Sequence, residues 1–260
     1  MNLKNIELFI LDMDGTIYLD DDVFDGTHEL MNTFIEKGIK YIFLTNNSSK
    51  NQVDYLEKLN RLNIPATIDN IYTSGMAMIE YLNLYHFGKK VYLVGTSKLA
   101  SEMKKGGINL VESKPDIVVV GFDRELNYTK LEKACEAIDN GALFLATNID
   151  YVCPIKGKRY IPDCGSICYM ITKATQVEPT FIGKPESFMI DNLAARLNIA
   201  KDKIAMVGDR VYTDIAAGYN AKVNTICVLS GESTIKTIEE SDIKPDYIFN
   251  SIKDIVPLIK

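Results

Sequence analysis

The amino-acid sequence predicts an α/β protein in which a doubly wound parallel sheet carries a second α/β unit as an insertion. Short β-branched or aromatic runs alternate with amphipathic stretches from end to end, the pattern expected of parallel strands joined by crossover helices. Polar or glycine-bearing turns follow the first two strands and the last four, whereas the middle strands end in less chemically suggestive sequence. An apolar fraction of 47% in 260 residues is enough to bury a sizeable core.

Short runs rich in β-branched and aromatic residues predict the strands. The predicted strands are Leu8–Leu11, Lys40–Leu44, Val91–Val94, Ile117–Val120, Ala142–Ala146, Thr180–Ile182, Ile204–Val207, Thr225–Leu229 and Tyr247–Phe249. Amphipathic stretches between them predict helices. Two examples are Thr27–Lys37, which Gly38 closes, and Glu186–Leu197, which Lys184-Pro185 opens.

The chain length favours two units, because 260 residues is near the size at which one hydrophobic core stops growing. We predict that residues 1–80 and 181–260 form the core and that residues 81–180 form the insertion. The insertion contains a predicted loop at Asp150–Pro154 and the segment Tyr160–Ser166. No repeat of short period is evident, which disfavours a solenoid.

Composition and charge disfavour several classes of partner. The net charge is −6 and no Lys/Arg block stands out, so we expect no nucleic-acid partner. No apolar stretch is long enough for a membrane span and no signal-peptide core follows Met1, so we expect a cytoplasmic protein. The five cysteines form an odd set without a C-x-x-C pair, which favours reduced structural thiols over disulfides or zinc.

Two carboxylates follow the first predicted strand at the segment Asp12-Met13-Asp14-Gly15-Thr16. Side chains in extended backbone alternate, so Asp12 and Asp14 would leave the strand on one side and Met13 on the other. Two close carboxylates repel each other unless a proton or a metal ion separates them. An ordinary Asx turn explains the same residues equally well when they are taken alone.

Further loops at predicted strand ends carry the other polar groups that phosphoryl chemistry needs. The loops are Asp12–Thr16, Leu44–Ser48, Gly183–Pro185 and Gly208–Asp214. The carboxyl ends of parallel strands gather at one edge of the sheet, so these loops can converge. Carboxylates with room for water and phosphate suit Mg²⁺, and backbone amides at a helix start form an anion site.

The charges of these residues predict their roles in phosphoryl transfer. Asp12 is the candidate nucleophile, and Asp14 is the candidate general acid and base. The remaining predicted roles are charge neutralisation by Lys184 and Mg²⁺, phosphate binding by Thr45 and the amides of Asn46 and Asn47, metal binding by Asp209, and orientation of metal-bound waters or Lys184 by Asp214. Lys184 and Asp214 would also be ordinary at helix starts, but the four motifs together favour the catalytic interpretation.

The four motifs together resemble those of the haloacid dehalogenase superfamily and, within it, the NagD-like phosphatases. The matching segments are D-M-D-G-T from Asp12, T-N-N from Thr45, G-K-P from Gly183 and G-D-R-x-x-T-D from Gly208. The resemblance implies a Rossmann-like core with an α/β cap inserted between the second and third motifs. It implies a site in which Asp12, Asp209 and the backbone carbonyl of Asp14 bind Mg²⁺, and Thr45, Asn46 and Lys184 bind phosphate.

Relatives in this family carry a specificity loop, written P-G-x-G, in the cap. Here the matching segment reads Pro162-Asp163-Cys164-Gly165, so Asp163 departs from the pattern and is a candidate specificity residue. The expected function is hydrolysis of a small phosphorylated metabolite such as a sugar phosphate, glycerol phosphate or phosphoglycolate. The cap is also a candidate contact surface for a homo-oligomer.

Two other functions fit parts of the sequence. A phosphoryl-accepting signalling module also uses an acidic cluster, a threonine and a lysine, but it is about half as long and its acceptor follows a middle strand. A dehalogenase of the same superfamily needs neither a metal nor an acid at position 14. A Ser-His-Asp hydrolase, a P-loop nucleotidase and a dinucleotide enzyme are disfavoured, because their glycine-rich or G-x-S-x-G motifs do not occur.

Overall fold

The computed structural model describes residues 3–155 and 159–260. Their contacts group into two compact units. The first comprises the chain up to Thr45, Gln52–Tyr72 and Lys184–Lys260, and the second comprises Asn46–Asn51 and Thr73–Gly183. We predicted a core of residues 1–80 and 181–260 and an insertion of residues 81–180. As an assignment of functional domains, this division stays a prediction.

Strands and helices alternate along the described chain. The strands are β1 (Leu8–Leu11), β2 (Tyr18–Leu19), β3 (Asp22–Val23), β4 (Lys40–Thr45), β5 (Ile71–Thr73), β6 (Lys90–Val94), β7 (Asn109–Leu110), β8 (Ile117–Val120), β9 (Leu143–Ala146), β10 (Val152–Ile155), β11 (Arg159–Pro162), β12 (Thr180–Phe181), β13 (Ile204–Gly208), β14 (Asn224–Val228) and β15 (Tyr247–Phe249). The helices are α1 (Thr27–Lys37), α2 (Gln52–Arg61), α3 (Ser74–Tyr85), α4 (Ser97–Lys105), α5 (Tyr128–Asp139), α6 (Cys164–Thr175), α7 (Phe188–Leu197), α8 (Ala216–Ala221), α9 (Ile235–Glu240) and α10 (Val256–Ile259).

Every predicted strand is present, with its ends within one residue of the prediction. Helix α1 matches its prediction at both ends, because Gly38 adopts a left-handed conformation (φ 66°) that terminates it. Helix α7 begins at Phe188, two residues after the predicted start. The prediction of a loop over Asp150–Pro154 is wrong in part, since β10 lies there and pairs antiparallel with β11.

The first unit is built on a sheet with the strand order β15-β14-β13-β1-β4-β5. Strand β1 runs parallel to β13 on one side, where Leu11 pairs with Val207, and parallel to β4 on the other, where Leu11 pairs with Phe43. The strand order reverses at β1, because the chain continues from β1 to β4 and β5 on one side and adds β13, β14 and β15 later on the other side. The carboxyl end of such a strand is where ligands bind in doubly wound sheets, and Asp12 follows β1 at this point.

The hydrophobic core of the first unit lies against both faces of its sheet. All four residues of β1 are fully buried. Phe9, Leu11 and Met13 belong to one core cluster with Phe34 of α1, whose ring centroid lies 4.8 Å from that of Phe9. Met13 therefore points into the core, as the alternation of strand side chains predicts.

The second unit has its own parallel sheet and its own core. The strand order is β12-β9-β8-β6-β7, and each neighbouring pair runs parallel. Its core cluster includes Val118 and Val120 of β8 and Ile167 and Ile171 of α6. The fold class predicted from the sequence, a mixed α/β protein with parallel sheets, is confirmed.

None of the helices in the described ranges has the length and apolar character to cross a membrane. The expected cytoplasmic location stays a prediction.

Candidate active site

Three side chains form a buried ionic chain at the carboxyl end of β1. The backbone N–H of Asp12 donates to Val207 O at 2.9 Å, which continues the pairing of β1 with β13. Lys184 donates from Nζ to Oδ1 of Asp12 and to Oδ1 of Asp214, both at 2.6 Å. The side chains are 3% exposed for Lys184, 14% for Asp12 and 1% for Asp214. The sequence prediction that loops far apart in the chain meet here is therefore realised for these residues.

The pKa values of Lys184 and Asp12 both lie above their usual ranges, but the physical causes differ. Burial lowers the pKa of Lys184, but the carboxylates of Asp12 and Asp214 outweigh it, so the pKa lies above its usual range. Lys184 is thus a permanent ammonium. Burial raises the pKa of Asp12 well above its usual value against the opposing effect of Lys184, and the charges of Asp214 and Asp209 add to the rise.

Asp209 lies beside this chain and is held by its own set of contacts. It follows β13, two residues beyond Val207. The N–H of Glu232 donates to Oδ2 at 2.7 Å, and the hydroxyl of Thr16 donates to Oδ1 at 3.5 Å. Burial and the charge of Asp214 raise the pKa of Asp209 to about 6.

Two glycines make room for the carboxylate of Asp209. A Cβ on Gly15 or on Gly231 would clash with Oδ2 of Asp209. Gly15 also has φ +92°, which favours glycine. Gly15, which follows the two aspartates in the first motif, is therefore favoured for steric reasons as well as for turn formation.

Asp214 uses both carboxylate oxygens within the protein. Oδ1 accepts from Lys184, and Oδ2 accepts from the backbone N–H of Arg210 at 3.0 Å. Asp214 lies in a π-helical turn, Val211–Ile215, and a Cβ on Gly208 would clash with its side chain. The arrangement suits Asp214 to orienting Lys184, which is one of the two roles that the sequence predicts.

The carboxylates could hold a metal ion. One oxygen from each of Asp12, Asp209 and Asp214 lies within 4.8 Å of the others. These three carboxylates lie near the ammonium of Lys184, and burial together with the charges of neighbouring carboxylates raises the pKa of both Asp12 and Asp209. Hard carboxylate oxygens in such a set fit Mg²⁺. Both oxygens of Asp214 accept hydrogen bonds of 3.0 Å or less, whereas the contact of Thr16 with Oδ1 of Asp209 is long, at 3.5 Å. Lys184 contacts Asp12 at Oδ1. Asp12 and Asp209 are therefore the side chains best placed as ligands.

Asp14 lies outside the buried chain, and its side chain is 45% exposed. Its carboxylate Oδ1 is 3.5 Å from Nζ of Lys58 on α2. Nζ of Lys58 also lies 3.7 Å from the centroid of the Tyr18 ring. No sequence pattern singles out Lys58, because a lysine on an amphipathic helix is ordinarily a solvated side chain.

Thr45 is buried at the end of β4, the strand that pairs with β1. Thr45 therefore lies at the same edge of the sheet as Asp12. The predicted phosphate-binding role of Thr45 stays a prediction.

Asn46 and Asn47 belong to the second unit and make contacts there. Asn46 donates from Nδ2 to Oδ2 of Asp150 at 2.9 Å, and its carbonyl accepts from Ser74 and Asn148. Oδ1 of Asn47 accepts from the N–H and the hydroxyl of the residue two positions on, the geometry of an Asx turn. Their predicted phosphate contacts stay predictions.

Asp163 begins helix α6 in the second unit. Its Oδ1 accepts from the N–H of Cys164 at 2.5 Å, and the residue is buried. An aspartate at a helix N-cap satisfies backbone donors that would otherwise lack a partner. This structural role explains why aspartate is compatible with the position, while its predicted role in specificity stays a prediction.

Comparison with known proteins identifies the family. A model described as haloacid dehalogenase-like hydrolase matches residues 9–109, and a model described as HAD-hydrolase-like matches residues 181–255. An acid sugar phosphatase of Staphylococcus saprophyticus is 33% identical over 255 residues, which cover 98% of each chain.

Solved structures give the same result over nearly the whole chain. A 4-nitrophenylphosphatase from Thermotoga maritima has a TM-score of 0.95 at 38% identity and covers 99% of each chain. NagD from E. coli K-12 has a TM-score of 0.89 at 32% identity, covering 96% of this chain and 98% of that one.

The parallel sheet and the cluster of aspartates and a lysine at its edge define an α/β protein with a carboxylate-rich site at the carboxyl ends of its strands. With these comparisons the class becomes specific: the chain belongs to the haloacid dehalogenase-like hydrolases, among the NagD-like phosphatases. The resemblance stated from the four motifs is confirmed. The family match favours an enzyme over a phosphoryl-accepting signalling module.

Proposed function

We propose that the chain is a Mg²⁺-dependent phosphomonoester hydrolase that acts on a small phosphorylated metabolite through an aspartyl-phosphate on Asp12. The observation that carries the proposal is the hydrogen bond from buried Lys184 to Asp12, beside Asp209 at the carboxyl end of β1. Relatives named acid sugar phosphatase and 4-nitrophenylphosphatase support a small phosphate ester as substrate. Sugar phosphates, glycerol phosphate, phosphoglycolate and p-nitrophenyl phosphate are the candidates.

Asp12 is the nucleophile in the first step. Its Oδ1 is bound to Lys184 at 2.6 Å, so Oδ2 is the oxygen that attacks phosphorus. The bond from phosphorus to the ester oxygen breaks as the aspartyl-phosphate forms, and Asp14 gives a proton to the departing alkoxide. Lys184 neutralises negative charge that would otherwise repel the anionic ester.

Asp14 acts as a base in the second step. It takes a proton from water as the water oxygen attacks phosphorus, and the bond between phosphorus and Asp12 breaks. Inorganic phosphate leaves, and Asp14 is again protonated for the next leaving group. A positioned acid or base of this kind typically contributes about 10²- to 10⁴-fold in rate.

Asp12, Asp209 and the backbone carbonyl of Asp14 would hold Mg²⁺. A bound divalent cation would offset the negative charge of the carboxylates and of the phosphoryl group. Asp214 would keep Lys184 aimed at Asp12, and the Thr45 hydroxyl would bind a phosphoryl oxygen.

The test is phosphate release by the purified protein from p-nitrophenyl phosphate and a panel of metabolite phosphates, with Mg²⁺ and with EDTA. We expect release that needs the metal and is lost in Asp12→Asn. No release from any member of the panel would overturn the proposal. Stable labelling by a phosphodonor without turnover would favour the phosphoryl-accepting module, and chloride release unaffected by EDTA would favour the dehalogenase.

A further inference from the structure

Lys58 of helix α2 contacts the carboxylate of Asp14, which acts as the proton donor and acceptor in the proposed function. Its Nζ lies 3.5 Å from Oδ1 of Asp14. The Lys58 side chain is 13% exposed, whereas that of Asp14 is 45% exposed. The lysine is therefore the buried partner, although solvation ordinarily keeps a helical lysine in water.

The ring of Tyr18 fixes the place of the Lys58 ammonium. Nζ lies 3.7 Å from the ring centroid, within the range of a cation–π contact. Tyr18 is fully buried, and burial raises the pKa of its hydroxyl well above its usual value, so the ring is neutral. A partly desolvated ammonium on an aromatic face has a narrower range of positions than one in water.

Tyr18 and Asp14 are also tied together through the backbone. They form an isolated β-bridge, and the N–H of Gly15 donates to the Tyr18 carbonyl at 2.8 Å. The ring and the carboxylate that Lys58 contacts therefore belong to one rigid turn. Lys58 thus contacts two groups of the same turn.

Arg61 lies one turn further along α2 and shows what an ordinary surface pair on this helix looks like. It binds Oδ1 of Asp21 at 2.7 Å, and both side chains are exposed. Exposed pairs contribute little to stability. The contrast in burial indicates that the contact between Lys58 and Asp14 is a built feature of the site.

We propose that Lys58 is a positioning residue that holds the Asp14 carboxyl in the direction needed for proton transfer to the leaving group. The proposal rests on the proposed function, because it takes Asp14 as the general acid. A half-exposed carboxylate samples several rotamers, and one fixed cation on one oxygen selects among them. Proton transfer depends strongly on such orientation.

The test compares leaving groups. The p-nitrophenolate ion is a weak base that departs without a proton, whereas the alkoxide of glycerol phosphate needs one. For each substrate kcat/KM covers the steps through phosphoryl transfer, which isolates the acid role. In Lys58→Met we expect kcat/KM to fall about tenfold or more for glycerol phosphate and less than about threefold for p-nitrophenyl phosphate.

Three further variants separate positioning from a structural role. Lys58→Arg keeps the charge and stacks on the Tyr18 ring, so it should restore most of the lost activity toward glycerol phosphate. Arg61→Gln, the matched control on the same helix, should leave both substrates unchanged. In an Asp14→Asn background, Lys58→Met should cause no further loss, since Lys58 acts through Asp14.

An equal loss for both substrates, or an additive loss in the Asp14→Asn background, would overturn the proposal. If circular dichroism shows that Lys58→Met does not fold, Lys58→Gln and Lys58→Arg give the same comparison. Wild-type protein that releases phosphate from no member of the panel would instead defeat the proposed function. If another alkyl phosphate of the panel is hydrolysed in place of glycerol phosphate, the comparison uses that substrate. A leaving-group effect in Asp14→Asn without one in Lys58→Met would defeat the role of Lys58 alone.

Discussion

Nζ of Lys184 lies 2.6 Å from Oδ1 of Asp214, and both side chains are almost completely buried. An ammonium and a carboxylate without water must be paired, because either charge alone would carry a large desolvation cost. Lys184 also contacts Asp12 at the same distance. The buried pair thus holds the ammonium against the proposed nucleophile.

Replacement of Lys184 by methionine should destabilise the fold as well as abolish hydrolysis. Breaking a buried ion pair by removing one partner typically costs about 3–5 kcal/mol, since the other charge stays uncompensated. Urea denaturation in EDTA measures this free energy of unfolding. Lys201→Met is the control, because its pair with Asp191 is largely exposed and should contribute about 1 kcal/mol or less. Equal losses in the two variants would contradict the account.

Replacement of Asp12 by asparagine should abolish turnover and leave the fold intact. An amide oxygen does not attack phosphorus, so steady-state hydrolysis of p-nitrophenyl phosphate should fall at least about 10⁴-fold. The thermal midpoint should not drop, because burial and nearby carboxylates already disfavour the ionised form of Asp12. Asp25→Asn, which removes an exposed partner of Lys253, should keep wild-type activity. Wild-type turnover in Asp12→Asn would refute the nucleophile assignment.

Replacement of Gly231 by alanine should weaken Mg²⁺ binding. Its Cβ would overlap Oδ2 of Asp209, so the carboxylate must move away from its place. Displacement of a ligand-orienting contact typically lowers metal affinity about 10- to 100-fold, which a Mg²⁺ titration of hydrolysis would measure.

Gly218→Ala is the control for Gly231→Ala, because its Cβ would lie 2.6 Å from a methyl of Thr225. It should lower stability and leave the Mg²⁺ concentration at half-maximal rate unchanged. The same shift in both variants would mean that general destabilisation, and not the place of Asp209, sets the metal dependence.

The sequence predicted the parts of the site that follow from local pattern. Asp12 follows a four-residue apolar run, and parallel topology brings Lys184 and Asp214 to the same edge. The contact of Lys58 with Asp14 could not be predicted, because it depends on how α2 packs across the turn at Tyr18.

Strand β10 was not predicted for a different physical reason. It carries Pro154, which lacks an N–H, and its pairing with β11 depends on a partner strand further along the chain. Local propensity therefore disfavoured a strand that tertiary pairing stabilises. Predicted helix α1 has no such conflict, since Gly38 provides its stop within the same segment.

Replacement of Asp209 by asparagine should stabilise the metal-free protein and remove its response to Mg²⁺. Burial and the charge of Asp214 raise the pKa of Asp209 to about 6 in the folded protein, above the ordinary 3.8. Between these two values the folded chain retains a proton that the unfolded chain has lost. Stability in EDTA therefore falls as pH rises from about 4 to about 6, by on the order of 3 kcal/mol for this group.

Asp209→Asn removes that fall, so its thermal midpoint in EDTA should exceed the wild-type value above pH 6 and approach it below pH 4. Mg²⁺ binds the folded state and should raise the wild-type midpoint at pH 7 by mass action, with little effect on the variant. Asp202→Asn, outside the site, should keep the wild-type pH profile and response to Mg²⁺. A midpoint for Asp209→Asn below that of the wild type in EDTA would show that the carboxylate stabilises the fold, contrary to its raised pKa. The gain on removing the Asp209 carboxylate therefore measures the cost of burying it beside Asp214, a cost that a bound divalent cation would offset.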